Sequence, residues 1–222
     1  MDRAVVLVSG GLDSAVALYW AREQGWDLQP LTFHYRHRAA REVRATREVV
    51  GASGGEATLL EADLGFLAET ADLREEGLAA PSLRDAPPTY ATARNLVFYS
   101  AAAYFGETLG ARWIVGGHNG ADSDTFPDAS PAFFRRFNAL LKEGLLTHRE
   151  LGLEVVNPLQ GLTKAEVVQE GVRLGVPFRR TWSCHRDQEV SCGACSSCQE
   201  RADAFVRAGV EDPLVVAVTE RD

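Results

Sequence analysis

The chain has 222 residues, 45% hydrophobic and 24% charged, which excludes a mostly disordered polypeptide and suits one domain with a small appendage. Its 23 Lys and Arg against 31 Asp and Glu give a formal net charge of −8, which counts against a surface built to grip a nucleic-acid backbone. No apolar run approaches the roughly 18 residues of a transmembrane helix, and the stretch at residues 1–8 is too short for a secretory signal, so a cytoplasmic protein without a membrane partner is expected.

Residues 4–8 form a short β-rich apolar run ended by Ser9-Gly10-Gly11. From 12 to 23 the spacing is helical, with Leu12, Val16, Tyr19 and Trp20 near one face and Gly25 as the stop. Residues 28–34 read as a second strand. Residues 38–50 read as a helix with Arg38, Arg41, Arg44 and Arg47 three apart, and 57–60 as a weak third strand. Residues 64–90 are less regular, with a loop over 79–88. An alanine-rich helix is predicted over 92–109 and a strand over 112–115, followed by Gly116-Gly117 and a polar loop from His118 to Asp128. Residues 131–146 read as a helix and 154–156 as a strand. Thr163 with Glu166 three residues on fits the capping box of another helix, which ends near Gly175. A last helix runs to about Arg207. Strands alternating with helices predict an α/β fold, a mainly parallel Rossmann-like sheet with helices on both faces. Residues 1–180 are expected to form the nucleotide-binding domain, and 181–222 a small metal-bound segment packed on it.

The hexapeptide Ser9-Gly10-Gly11-Leu12-Asp13-Ser14 lies between the first strand and the first helix, at the strand end where open α/β sheets bind ligands. Its glycines permit positive φ and close backbone approach, and the helix start offers free N–H groups and a positive dipole end. With the Ser9 and Ser14 hydroxyls this makes an anion cradle, although a plain tight turn with a helix cap would use the same residue types. It lacks the lysine of a Walker A loop and is not the Gly-x-Gly-x-x-Gly of dinucleotide folds. Asp13 on its own would repel phosphate, so it is assigned either to Mg²⁺, which bridges carboxylate and phosphates, or to the order of the loop.

All four cysteines, Cys184, Cys192, Cys195 and Cys198, fall late in the chain, a clustering that points to one metal site rather than a disulfide framework. Two-residue gaps let neighbouring thiolates converge on one ion. The spacing accommodates a closed structural Zn²⁺ site or an iron–sulfur cluster.

The hexapeptide resembles the pyrophosphate-binding loop of the N-type ATP pyrophosphatases, which cleave ATP between its α and β phosphates and transfer AMP to a substrate oxygen. With the cysteine spacing, the chain is similar to the 7-cyano-7-deazaguanine synthase family of queuosine biosynthesis. Further stretches carry that resemblance: Thr89-Tyr90 with Arg94-Asn95; Gly117, Asn119, Asp122 and Pro127-Asp128; Asn157-Pro158-Leu159 with Thr163-Lys164; Thr181-Trp182-Ser183-Cys184; and Cys192-Gly193-x-Cys195-x-x-Cys198-x-x-Arg201. After the second strand the family's Phe-Asp-Tyr-Gly-Gln-Arg-His is replaced by Phe33-His34-Tyr35-Arg36-His37-Arg38-Ala39.

The resemblance implies an adenine nucleotide alpha hydrolase-like fold, a homodimer, zinc rather than a cluster on the cysteines, and no direct nucleic-acid partner. It implies conversion of 7-carboxy-7-deazaguanine, ammonia and ATP into the nitrile. Val8, Ser9, Gly10, Gly11, Leu12, Asp13 and Ser14 would hold ATP with Mg²⁺, and Asp13, Arg94 and Lys164 would act in catalysis. Asn95, Asn119, Asp122 and Asp128 are the substrate candidates, Asp124 sits in the same polar loop, and Phe33 is a candidate for packing on adenine. The arginine row reads as a solvated helix face or as a site for the triphosphate or an acidic partner. Two other functions stay open: another ATP-dependent adenylating or amidating enzyme of the superfamily with a different substrate, and a non-catalytic nucleotide- and zinc-binding module.

Overall fold

The computed structural model describes residues 1–54, 58–86 and 90–214. Ala57 of the weak strand, Pro87 and Pro88 of the loop, Thr89, and residues 215–222 of the C-terminal segment lie outside the described residues.

The sheet is built from β1 (Arg3–Leu7), β2 (Asp27–His34), β3 (Leu60–Asp63), β4 (Trp113–Val115) and β5 (Glu154–Val156). All neighbours pair in parallel, in the order β3-β2-β1-β4-β5. β1 is apolar from Ala4 on because both faces are covered: Ala4 and Val6 enter one core and Val5 the other. The helices are α1 (Leu12–Glu23), α2 (Ala40–Ala52), α3 (Thr70–Glu75), α4 (Arg94–Leu109), α5 (Gly120–Thr125), α6 (Pro131–Gly144), α7 (His148–Leu151), α8 (Lys164–Leu174) and α9 (Ser196–Ala208).

On one face α1 is buried on nearly every side, and its Ala15, Ala17 and Ala21 leave room for α8 and α9 to pack close through Val167, Val168, Ala204 and Phe205. On the other face Tyr99 and Ala102 of α4 meet Phe134, Phe137 and Leu141 of α6 over Leu31, Ile114 and Val155. Strand order reverses between β1 and β4, which opens a crevice at their carboxyl ends, the ligand position of this architecture. The predicted α/β class and Rossmann-like sheet are therefore observed. No helix among the described residues is long and apolar enough to cross a membrane.

Local differences have local causes. The second helix starts at Ala40, not Arg38, because Arg38 turns inward before the first helical turn. The third strand falls at Leu60–Asp63, where the register Leu31↔Leu60 to His34↔Asp63 completes the sheet edge. The irregular stretch contains α3, and the polar loop contains α5. Both are six residues long, too short for apolar periodicity, and both start from capping boxes, Glu69 with Asp72 and Asn119 with Asp122. The Thr163–Glu166 box forms as expected, with the Thr163 N–H donating to Glu166 at 2.7 Å.

Candidate active site at the carboxyl edge of the sheet

The loop between β1 and α1 is pinned from three sides. Within it, the Ser9 N–H donates to Ser14 Oγ at 3.1 Å, the Gly11 N–H to Ser9 Oγ at 3.2 Å, and Ser14 Oγ to the Gly11 carbonyl at 3.1 Å. From the α2 side, Arg38 donates to the Ser9 carbonyl at 3.0 Å and to the Thr46 and Thr32 hydroxyls at 2.9 and 2.8 Å. From the C-terminal segment, the Trp182 N–H donates to the Gly10 carbonyl at 2.9 Å. Gly10 has φ +86°, and a Cβ there would stand 2.6 Å from the Thr46 nitrogen and 2.7 Å from the Glu42 carbonyl. Only glycine allows α2 to close on the loop in this way. Val8 and Leu12 bury their side chains in the core, so they can serve a ligand through backbone alone. The first turn of α1 carries no side-chain cap, which leaves its N–H groups facing the crevice edge.

Asp13, Asn119 and Lys164 come together over this loop. The Lys164 ammonium donates to one Asp13 oxygen at 2.5 Å, and the Asn119 amide donates to the other at 3.2 Å. Burial works to lower the Lys164 pKa, but the Asp13 charge and hydrogen bond outweigh it and hold the amine above its ordinary value. A lysine at a helix start opposes the dipole, and Asp13 offsets that. Gly117 brings the β4 loop down onto α1: a Cβ there would lie 3.1 Å from Ser14 Cα.

The other predicted residues separate. Asp128 accepts from the Asn95 backbone N–H at 3.1 Å and its side-chain amide at 3.3 Å, tying the start of α4 to the turn at Pro127–Ala129. Asp122 accepts from the Asn119 N–H at 3.1 Å inside its capping box. Asp124 is exposed and makes no hydrogen bond among the described residues. Arg94 is half-buried and makes no ion pair among the described residues, and its charge acts on Tyr35, Glu42 and His118. Phe33 is buried and stacked on Phe98 at 4.5 Å, which makes it a core residue and removes it as an adenine platform.

The arginine row divides. Arg38 is 3% exposed and braces the loop, and Arg41 stacks on Trp182 with its guanidinium carbon 4.8 Å from the ring centroid. Arg44 forms a forked pair with Glu189, and Arg47 pairs with Glu61. The row is thus not a uniformly solvated face: Arg38 and Arg41 turn inward, and Arg44 and Arg47 lie exposed in ion pairs with Glu189 and Glu61. The altered segment after β2 likewise points outward: His34 pairs with Glu61, Arg36 with Glu76 and His37 with Asp72.

The four cysteine sulfurs lie within 4.8 Å of one another. Tetrahedral Zn–S bonds of about 2.3 Å place sulfurs roughly 3.8 Å apart, so small adjustments fit an ion at the centre. Backbone N–H groups of Arg186 and Cys192 point at Cys184 Sγ, and that of Cys195 at Cys192 Sγ, at 3.4–3.5 Å. The N–H groups of Ala194 and Cys195 draw the Cys192 thiol down to about 6, whereas burial pushes Cys198 up to about 12. His185 bonds to Ser197 at 2.7 Å. Trp182, Cys184, Cys198 and Ala45 of α2 form a small core of their own, and Arg201 of α9, 5% exposed, pairs with Asp212 at 2.7 Å.

Residues 3–209 match the family model described as "Queuosine biosynthesis protein QueC". The chain belongs to the QueC family. Relatives of this QueC-family chain named 7-cyano-7-deazaguanine synthase include one from Nitrosococcus oceani, 41% identical over 95% of this chain and 96% of the relative. Those from Stenotrophomonas maltophilia and Thermoplasma acidophilum are 38% and 37% identical, covering 98% and 96% of this chain and 100% and 91% of the relatives. Among solved structures, NMN synthetase from Francisella tularensis superposes with TM-score 0.53 at 14% identity over 94% of this chain and 84% of that one. A 4-thiouridine synthetase–RNA complex with bound ATP gives 0.52 at 18% over 94% and 52%. These likenesses establish the shared fold. The resemblance read from the motifs and the family agree, and queuosine precursor biosynthesis is the setting they place this QueC-family enzyme in.

His118 was not singled out in the sequence beyond opening the polar loop. It stands directly after the close-packed Gly116-Gly117 at the end of β4, which is the signal that could have flagged it.

Proposed function

We propose that the protein converts 7-carboxy-7-deazaguanine and ammonia, at the expense of ATP, into 7-cyano-7-deazaguanine. The observation that carries this reading is the Asp13–Lys164–Asn119 cluster over a rigidly held anion loop. A carboxylate is a poor electrophile because its charge is delocalised. Transfer of AMP to it makes an acyl-adenylate, and ammonia then displaces AMP to give the amide. A second transfer of AMP, to the amide oxygen, again releases pyrophosphate, and elimination of AMP with loss of a proton from nitrogen leaves the nitrile.

The chain's task in this reading is placement and charge stabilisation. Ser9, Gly10, Gly11 and Ser14 cradle the pyrophosphate portion of ATP, and Lys164 meets the charge developing at the phosphates. Arg94 receives the carboxylate, with Asn119 and Asp122 near the substrate edge. Mg²⁺ would arrive with the phosphates. Both Asp13 oxygens are already engaged by protein donors, which favours the loop-ordering role for Asp13 over metal ligation. Cys184, Cys192, Cys195 and Cys198 would hold Zn²⁺, whose charge permits Cys198 to ionise and whose bonds stand in for hydrophobic core in a short segment. The residues that depart from the family pattern after β2 are engaged in ion pairs with Glu61, Glu76 and Asp72 of this chain.

The test is mass spectrometry of purified protein with ATP, Mg²⁺, ammonium and the carboxylate. Nitrile that requires every component, with AMP released, is the expected result. ADP and phosphate without AMP would overturn the adenylation route, and absence of both amide and nitrile would overturn the substrate assignment.

A further inference from the structure

His118 is a half-buried imidazole set among the acids gathered at the end of β4. Asp13 is committed to Lys164 and Asn119, Asp128 to Asn95, and Asp122 Oδ2, the oxygen that faces His118, accepts from the Asn119 backbone N–H. The His118 imidazole is held between Tyr99 and Phe134, ring centroids 5.8 and 5.6 Å away, and its side chain is 20% exposed. Among the described residues neither ring nitrogen makes a hydrogen bond. Nδ1 stands 3.9 Å from Asp122 Oδ2, so the carboxylate acts on the ring through its charge, not through a hydrogen bond. Gly117 packs the same loop onto the start of α1, so the ring is next to the nucleotide loop rather than remote from it.

We propose that His118, facing the charge of Asp122, is the general base that takes the proton from the incoming nitrogen nucleophile. The inference rests on the function proposed above. Ammonia exists mainly as ammonium at neutral pH, and ammonium has no lone pair with which to attack. One proton passes from ammonium to the imidazole. The freed lone pair forms the C–N bond at the adenylated carboxyl carbon, and the C–O bond to AMP breaks with its electron pair leaving on the phosphate oxygen. Nitrogen sheds its second proton to solvent, and the imidazolium returns its own before the next turnover. Burial keeps His118 below the ordinary histidine pKa, against the pull of Asp122, Asp128 and Asp13 and together with the push of Arg94, so the base is neutral at the working pH.

The experiment compares ammonium with hydroxylamine, which is largely unprotonated at neutral pH, in the amide-forming half-reaction of wild type, His118→Asn and Asp122→Asn. His118→Asn is expected to lose about 100-fold in kcat/KM with ammonium, the usual worth of a positioned base. With hydroxylamine it should stay within about threefold of wild type, the gap with ammonium should narrow as pH rises toward 9, and ATP affinity should be unchanged. Asp122→Asn should show the same selectivity at smaller amplitude. Equal losses with both nucleophiles, or none with either, would overturn the role of His118 while leaving the proposed function in place. Wild-type protein that amidates with neither nucleophile would overturn both. If His118→Asn proves unstable, the selectivity of Asp122→Asn decides alone.

Discussion

Lys164 shows how a single side chain is shaped by its surroundings. Its amine is half-buried at a helix start, where both desolvation and the dipole disfavour a cation, and the Asp13 carboxylate, with smaller help from Asp122 and Glu200, makes the position tolerable. Lys164→Met keeps the length and removes the charge. It is expected to lower AMP-forming turnover by about 100-fold, the scale set by removing one preorganised donor, while quench-flow or AMP assays under saturating ATP report the loss. His118 makes a prediction for stability that is separate from its chemistry. Its folded pKa lies below the unfolded value near 6.5, so the folded state resists the proton that the unfolded chain accepts. The resulting stability is full above that value and is lost as pH falls through the folded pKa, with a slope of at most about 1.4 kcal/mol per pH unit. Urea denaturation from pH 7 to 5 should show a shallower decline in His118→Asn than in wild type.

At the scale of elements, α8 joins fold to site, because the residue after its cap is the lysine that meets Asp13. Thr163→Ala removes the hydroxyl half of the capping box and should cost about 1 kcal/mol in chemical denaturation. It should also weaken ATP binding, since a frayed first turn no longer fixes Lys164. This helix was legible in the sequence because Thr163 and Glu166 are three apart and Gly175 marks the stop. β1, α1 and β5 were legible for like reasons: an unbroken apolar run, helical spacing, and a proline after Val156. The elements that escaped, α3 and α5, are short and polar and are specified by one capping pair each. The inward turn of Arg38 was illegible for another reason. Its four acceptors, Thr32, Phe33, Ser9 and Thr46, come together only when β1, β2 and α2 are assembled. The loop and the cysteines announced themselves because their chemistry depends on spacing along the chain. Asn119 and Lys164 join Asp13 through contacts between distant segments, which spacing along the chain does not encode.

For the molecule as a whole, the C-terminal segment braces the loop between β1 and α1. Trp182 touches the loop, Arg41 covers Trp182, and the cysteine cluster packs beneath both. Stripping the metal with a chelator should therefore depress the melting temperature and the calorimetric affinity for ATP together, and reloading zinc should restore both; an ATP affinity indifferent to chelation would refute the coupling. Asp212→Ala leaves the buried Arg201 guanidinium uncompensated and should destabilise the protein by about 3–5 kcal/mol in a denaturant titration. The bond from Trp182 to Gly10 also orders events during synthesis. A ribosome delivers Trp182 about 170 residues after Ser9–Ser14, and the pair that anchors α9 closes only when Asp212 has emerged. The earlier-made half of this contact waits for the later one, so a nascent chain halted before Trp182 carries the glycine loop without its clasp.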